Sequence, residues 1–397
     1  MAEDQKVGKE AGKEAGKRKI LIATDNFLPR WDGISRFLAE MIPRLKDRYD
    51  LTIIAPDFGY TAAEKAQSFR FLKMPTSRIK IGDFPLPRPN KKIIRQEVAK
   101  ADLVFSQTIG PVGLAAINAA KKEKKKVISY IHSVEWELIT QSLGIEFFKN
   151  QAYSISRSLV RNVYKKVDVL LMPAQSVSEV FSWHQIDAPK RIVHLGVDTK
   201  KFTPPARKDD AKALVGIAKD IFVIGFHGRI GREKDLLTLL RAYIQVKKHH
   251  PKSILLIVGD GVESVKKKLK SVRGVVVTGS KHNVVPYIQA MDVFCLTSLT
   301  ETTSLSVLEA MACGVPVITN KVGFVKDYVK DGKNGLFFNA KNSYDLSKHI
   351  QRVMKDEDLR KRLSLTGRKF VEKYFDWDLT AKEIIKAIDD TIEGKEE

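Results

Sequence analysis

Two cations and two carboxylates, each pair set at a spacing that could serve one ligand, are the groups in this sequence best suited to chemistry. In the segment IGFHGRIGREKDLLTLLRAY a strand ends at Phe226, Gly228 and Gly231 keep the following turn small, and Asp235 opens a helix with Leu236, Leu239, Leu240 and Tyr243 on its apolar face. Arg229 and Lys234 thus flank a helix N-terminus, where free N–H groups and the macrodipole favour an anion. Cations are poor neighbours for that terminus unless an anion arrives, so the pair suits a diphosphate. The plainer reading is a solvated lysine and an arginine paired to a nearby carboxylate.

The carboxylates lie in DVFCLTSLTETTSLSVLEAMACGVPVIT, which reads as a strand, a loop and a helix closed by Gly314 and Pro316. Glu301 falls on the loop and Glu309 on the helix, so both can reach one space beyond the strand end. Ser306 to Glu309 also fits a capping box, which would give Glu309 a purely local role. That reading leaves only about two helical turns before Gly314, too short to be comfortable alone. Starting near Leu305 places Leu305, Leu308 and Met311 on one stripe and leaves Glu309 beside it.

These groups must be positioned by the rest of the chain. With 397 residues, 43% hydrophobic and 29% charged, the sequence exceeds one core and excludes disorder or a small disulfide scaffold. Cys295 and Cys313 each lie in apolar stretches and cannot form a disulfide framework or a four-thiolate zinc site. Short apolar runs (KILIAT, LTIIAP, DLVFS, KVISYIH, DVLLMP, RIVHLGV) alternate with helical stretches, the rhythm of a parallel sheet wrapped by helices. After GVDTKKFTPP the rhythm restarts with IFVIGFHG, SILLIVGDG, VVVTGS, DVFCLTS, VPVIT and GLFF. This predicts an α/β protein with two doubly wound domains. We divide it into a tail over 1–18, a first domain over 19–195, a linker over 196–206, a second domain over 207–375 and a terminal helix over 376–397. Ligands of open parallel sheets sit at the carboxyl ends of the strands, so two facing domains would share a site in their cleft.

On these residues the chain resembles the retaining glycosyltransferases of family 4, whose GT-B fold is two facing Rossmann-like domains. The resemblance runs over about residues 19–390. It is carried by the Glu301/Glu309 pair continued as Glu-Ala-Met-Ala-Cys-Gly-Val-Pro-Val-Ile-Thr, and by the turn from Gly228-Arg229 to Lys234. Asp32-Gly33-Ile34-Ser35-Arg36, His132 and Gly196-Val197-Asp198 support it. It implies transfer of a hexose from a nucleotide sugar of the UDP-glucose or GDP-mannose type. Arg229 and Lys234 would hold the donor diphosphate, Glu309 the ribose hydroxyls and Glu301 the transferred sugar. Gly33 would let its loop approach the diphosphate, and His132 would reach the donor sugar. Fixed cations and the amides near Leu305 and Ser306 can meet the charge of the leaving group, so neither metal nor cofactor is expected.

Some positions depart from the family pattern. Ser304 stands where the family often has glycine, and its hydroxyl could donate in place of a close backbone approach. Asp235 follows Lys234 where glycine or asparagine is usual. The loop Lys321–Asp327 has one glycine and lacks the usual glutamate, so no ligand role is assigned to it. Asp376-Trp377-Asp378 reads as an N-cap rather than a metal motif. His194, His227, His249 and His250 lack ligand spacing and read as structural.

Net charge is +22, which seeks an anionic partner. Residues 61–100 hold ten basic and three acidic side chains among Phe69, Phe71, Phe84 and Leu86, and Lys121–Lys126 adds five more positive charges. Basic residues beside exposed apolar ones suit an anionic bilayer, with Lys91, Lys92 and Arg95 as the patch. Nucleic acid is less favoured because no binding motif accompanies the charge. The expected acceptor is a membrane lipid, reached by a peripheral protein on the cytoplasmic face. A soluble sugar or polysaccharide acceptor, a non-catalytic basic adaptor for membranes or RNA, and a nucleotide-sugar epimerase are the alternatives. Neither the oligomeric state nor the base and sugar follow from the residues.

Overall fold

Runs of β-branched and apolar residues too short for helices become parallel strands buried on both faces. The computed structural model describes residues 16–30, 32–59, 69–81, 84–136 and 149–395. Most of the tail and parts of the basic 61–100 stretch lie outside the described residues. The strands of the first half are β1 (Arg18–Ala23), β2 (Tyr49–Pro56), β3 (Arg70–Met74), β4 (Thr76–Ile81), β5 (Phe84–Pro87), β6 (Leu103–Ser106), β7 (Lys126–Tyr130), β8 (Val169–Met172) and β9 (Lys190–Ile192). Seven of them form a parallel sheet in the order β3-β2-β1-β6-β7-β8-β9, and β4 pairs with β5 as an antiparallel ribbon.

The second sheet is built from β10 (Phe222–His227), β11 (Ser253–Val258), β12 (Val275–Val277), β13 (Val293–Leu296), β14 (Val317–Thr319) and β15 (Leu336–Phe337). Its order is β12-β11-β10-β13-β14-β15. The strand order of each sheet therefore reverses once, between β1 and β6 and between β10 and β13, while all strands stay parallel. Open sheets bind ligands at such reversals, beyond the carboxyl ends of the strands. The loops leaving β1, β10 and β13 carry the residues singled out above.

The last helix, Trp377–Glu393, belongs with the first sheet. Asp376 caps it by accepting from the Asp378 N–H at 2.8 Å. Trp377, Ala381, Ile384, Ala387 and Ile388 join the core that contains Phe37 and Tyr49. Asp389 accepts from Arg18 at 3.0 Å and from the Tyr49 hydroxyl at 2.9 Å, joining the helix to β1 and β2. The crossing is fixed where the Val197 N–H donates to Phe375 O at 2.7 Å. Arg368 donates to the carbonyls of Thr199, Phe202 and Ala312, tying the linker to the second sheet's layer.

Two expectations about the basic surface need correction. Phe69 and Phe71 pack against the first core, Phe71 stacking on Phe27 with centroids 5.1 Å apart, so they are not exposed beside the charges. Alternation along the β3 edge turns them inward. Arg95 donates to Glu123 Oε1 at 2.5 Å, which neutralises its charge. Lys91 and Lys92 are exposed at the start of the helix Lys91–Lys100. Among the described residues no helix is long and apolar enough to cross a membrane.

Candidate active site

Beyond β10 the chain makes one 3₁₀ turn, Arg232–Lys234, before the helix Leu236–His249. Asp235 between them is left-handed (φ 43°) and accepts from the Thr238 hydroxyl at 2.6 Å. Its charge is thus engaged by its own helix. The turn is braced from β11: Gly259 has φ 149°, and a Cβ there would lie 1.9 Å from the Gly228 carbonyl oxygen. Gly259 and Gly261 thus permit close packing between the loops leaving β10 and β11.

Lys234 Nζ lies 2.5 Å from Glu301 Oε1, and the Ser298 hydroxyl donates to the same oxygen at 2.7 Å. Arg229, two-thirds exposed, pairs with Glu233 at 2.7 Å. The loop carrying Glu301 is fixed along its length. Thr297 donates to Lys234 O at 2.8 Å, Asn320 to Ser298 O at 2.9 Å, and the Tyr328 hydroxyl to Thr303 O at 2.6 Å. Gly323 presses on it from the following loop: its φ is 48°, and a Cβ would fall 1.9 Å from Glu301 O. The Lys321–Asp327 loop, to which the sequence assigned no role, supports the Glu301 backbone.

Ser304 adopts φ 52° and ψ 79°, a left-handed conformation that costs a non-glycine residue roughly 1–2 kcal/mol. This explains why glycine suits the position. The Ser304 hydroxyl lies 3.1 Å from that of Ser306. The helix Leu305–Ala312 follows, and the N–H groups of Val307 and Leu308 already close on Ser304 O. Those of Leu305 and Ser306 precede them, directed out of the helix end.

Glu309, 1% exposed, sits one turn into that helix. No capping box forms, because the helix begins ahead of Ser306. Its carboxylate pairs instead with Arg36 of the first half, in the first turn of the helix Gly33–Leu45, and lies 3.5 Å from His227 Nε2. His227 also contacts Ser306 O at 3.1 Å. Burial, with Arg36 adding to it, pushes the imidazole down to about 3, so the ring is neutral. His227 thus holds the start of the helix Leu305–Ala312 from the strand end, beside Glu309. Burial likewise lowers the Arg36 guanidinium to about 10, opposed by the Glu40 carboxylate.

His132, just past β7, faces the same region beside Phe37, with ring centroids 5.0 Å apart. Burial pushes it down to about 3, and its Nε2 lies 3.0 Å from Gln107 Oε1. With Nε2–H donating to Gln107, Nδ1 is left as an acceptor. Gly33 begins its helix after the Asp32 carboxylate accepts from Ser35 N–H at 2.9 Å, and a Cβ on Gly33 would meet no atom of the described residues within 4 Å. That helix start opens onto free space.

Each cation here has a carboxylate partner: Lys234 with Glu301, Arg229 with Glu233, Arg36 with Glu309. The structure thus gathers Lys234, Glu301, Ser304, Leu305, Ser306, Glu309, Gly33 and His132 around the reversals of the two sheets, with Arg229 at the rim. Lys91, Lys92 and Arg95 lie apart, on another helix. Sequence reasoning missed Glu233 and the partnership of Arg36. Only Arg36 left a trace, as the last residue of the quoted Asp32–Arg36 motif.

Residues 31–201 match Glycosyltransferase Family 4 and residues 207–370 match Glycosyl transferases group 1. The alpha-monoglucosyldiacylglycerol synthase of Acholeplasma laidlawii is 28% identical over 278 residues, covering 67% of this chain and 69% of that protein. The GDP-mannose-dependent monoacylated alpha-(1-6)-phosphatidylinositol monomannoside mannosyltransferase of Corynebacterium glutamicum is 26% identical over 394 residues, covering 93% and 97%. The crystal structure of Anabaena HepE in complex with UDP-glucose superposes with a TM-score of 0.74 at 18% identity, covering 94% of this chain and 99% of that one.

Proposed function

The chain belongs to the family 4 glycosyltransferases and has their GT-B fold, and on that premise we propose that it moves a hexose, with retention of anomeric configuration, from a nucleotide diphosphate sugar to a membrane lipid. The observation that carries this reading is the set of three cation–carboxylate pairs at the sheet reversals. A nucleotide sugar brings an anion for the cations and hydroxyls for the carboxylates, and so can satisfy both members of each pair.

In this reading Lys234 and Arg229 hold the diphosphate with the Leu305 and Ser306 amides and the Ser304 hydroxyl. Glu309 accepts the ribose hydroxyls, and Glu301 the hydroxyls of the transferred sugar. Neutral His132 meets the same sugar through Nδ1, and Gly33 leaves room for the diphosphate. Breaking the sugar–phosphate bond leaves an oxocarbenium-like centre and a more highly charged leaving group. Preorganised cations and amides stabilise that charge without a metal.

A lipid acceptor is supported by the names of both relatives, one for a glucosyldiacylglycerol and one for a phosphatidylinositol monomannoside. The exposed Lys91 and Lys92 suit an anionic bilayer and support the reading of a peripheral protein on the cytoplasmic face. The test is incubation with a panel of nucleotide sugars and membrane lipid extract, with products identified by mass spectrometry. A hexosyl lipid formed from one donor is expected. Transfer only to soluble glycans would contradict the lipid acceptor.

A further inference from the structure

Resting on the donor site just described, we propose that Arg36 is a further donor-binding residue, a cation that leaves Glu309 for the diphosphate when the ribose hydroxyls take that carboxylate. Glu309 is almost wholly buried, and among the described residues its Oε2 accepts no hydrogen bond. Its charge is met by the Arg36 guanidinium, with the neutral His227 ring at 3.5 Å. A carboxylate offers about four acceptor sites, so a single guanidinium partner leaves acceptor capacity for a ligand's hydroxyls.

A ribose diol offers two O–H donors to those two oxygens. Both members of the present pair then change partner, because the incoming nucleotide carries its phosphates beside the ribose it presents to Glu309. Arg36 projects from the first turn of its helix, whose N-terminus at Gly33 opens onto free space. A planar guanidinium released there can bind phosphate oxygens in bidentate fashion. Lys234 and Arg229 come from the second half, whereas Arg36 comes from the first, so its transfer would bind the donor from both sides of the cleft.

Calorimetric titration of UDP, GDP, uridine and guanosine into wild type, Arg36→Met, Arg36→Lys and Lys234→Ala tests this, with melting temperatures measured in parallel. Arg36→Met is expected to lose about tenfold or more in nucleoside diphosphate affinity, the size of a charge-assisted contact. Nucleoside affinity should hold or rise, since competition for Glu309 is removed. Arg36→Lys should recover part of the loss. If Arg36→Met fails to fold for want of a partner to Glu309, Arg36→Met/Glu309→Gln compared with Glu309→Gln carries the same comparison. Equal losses for nucleoside and diphosphate would make Arg36 a mere support for Glu309 and overturn the proposal. Unchanged diphosphate affinity in Arg36→Met while Lys234→Ala loses it would refute Arg36 alone. Absence of any nucleotide binding by wild type would instead refute the donor site, and this inference with it.

Discussion

Lys234 Nζ and Glu301 Oε1, on loops leaving two adjacent strands, are 2.5 Å apart, and both side chains are largely shielded from solvent. The pair fixes a cation and an acceptor side by side at the sheet reversal. It is formed before any donor arrives, so its orientation need not be assembled during the reaction.

Lys234→Ala removes that preorganised cation and is expected to lower turnover by roughly 100-fold or more. Arg229→Ala should cost less, about tenfold, because Arg229 is two-thirds exposed and its field is screened by water. Steady-state kinetics with saturating lipid would show this order. Wild-type turnover in a folded Lys234→Ala protein would contradict the diphosphate role.

Ser304→Gly is expected to stabilise the protein by roughly 0.5–1 kcal/mol. The left-handed backbone costs serine roughly 1–2 kcal/mol, and glycine returns part of that through its greater unfolded freedom. Denaturant titration measures the difference. A destabilised variant would mean that the contact with the Ser306 hydroxyl outweighs the strain.

Glu135 is buried and pushed up to about 7 by desolvation, opposed by the Tyr164 hydroxyl that donates to it at 2.6 Å. The folded state then holds this proton more tightly than the unfolded chain, whose ordinary value is 4.5. Stability from this group is present below the unfolded value and lost as pH rises toward 7, by up to about 3 kcal/mol. Glu135→Gln should therefore gain melting temperature relative to wild type between pH 5 and pH 8. A gap that does not change with pH would contradict the raised value.

Lys91→Gln/Lys92→Gln should weaken binding to acidic vesicles by roughly ten- to thirtyfold, at about 1 kcal/mol per charge near the surface. Arg95→Gln should matter less, since Glu123 already neutralises it. Raising salt from 0.1 M to 1 M shortens the Debye length from about 10 Å to 3 Å and should release the wild type. Equal partition of wild type and double variant would exclude this helix as the contact.

The doubly wound sheets were legible in sequence because strands buried on both faces leave continuous apolar runs. Arg229, Lys234, Glu301 and Glu309 were legible because each pair lies within one strand–loop–helix unit. The Arg36–Glu309 contact was not, since its members sit on different sheets and no local spacing records it. The contact of His227 with the helix Leu305–Ala312 was hidden for a related reason: a strand pattern does not tell which buried histidine lies at the end facing a neighbouring helix. Phe69 and Phe71 looked exposed because composition around them is basic, whereas the pleat decides where each ring points.

Release of nucleoside diphosphate, followed with and without lipid acceptor and with the anomeric configuration of the product read by NMR, tests the central claim most directly. A retaining transferase gives release that depends on the acceptor, a product with the donor's configuration, and loss of both in Lys234→Ala. Acceptor-independent release, an inverted product, or no release from any nucleotide sugar would contradict it.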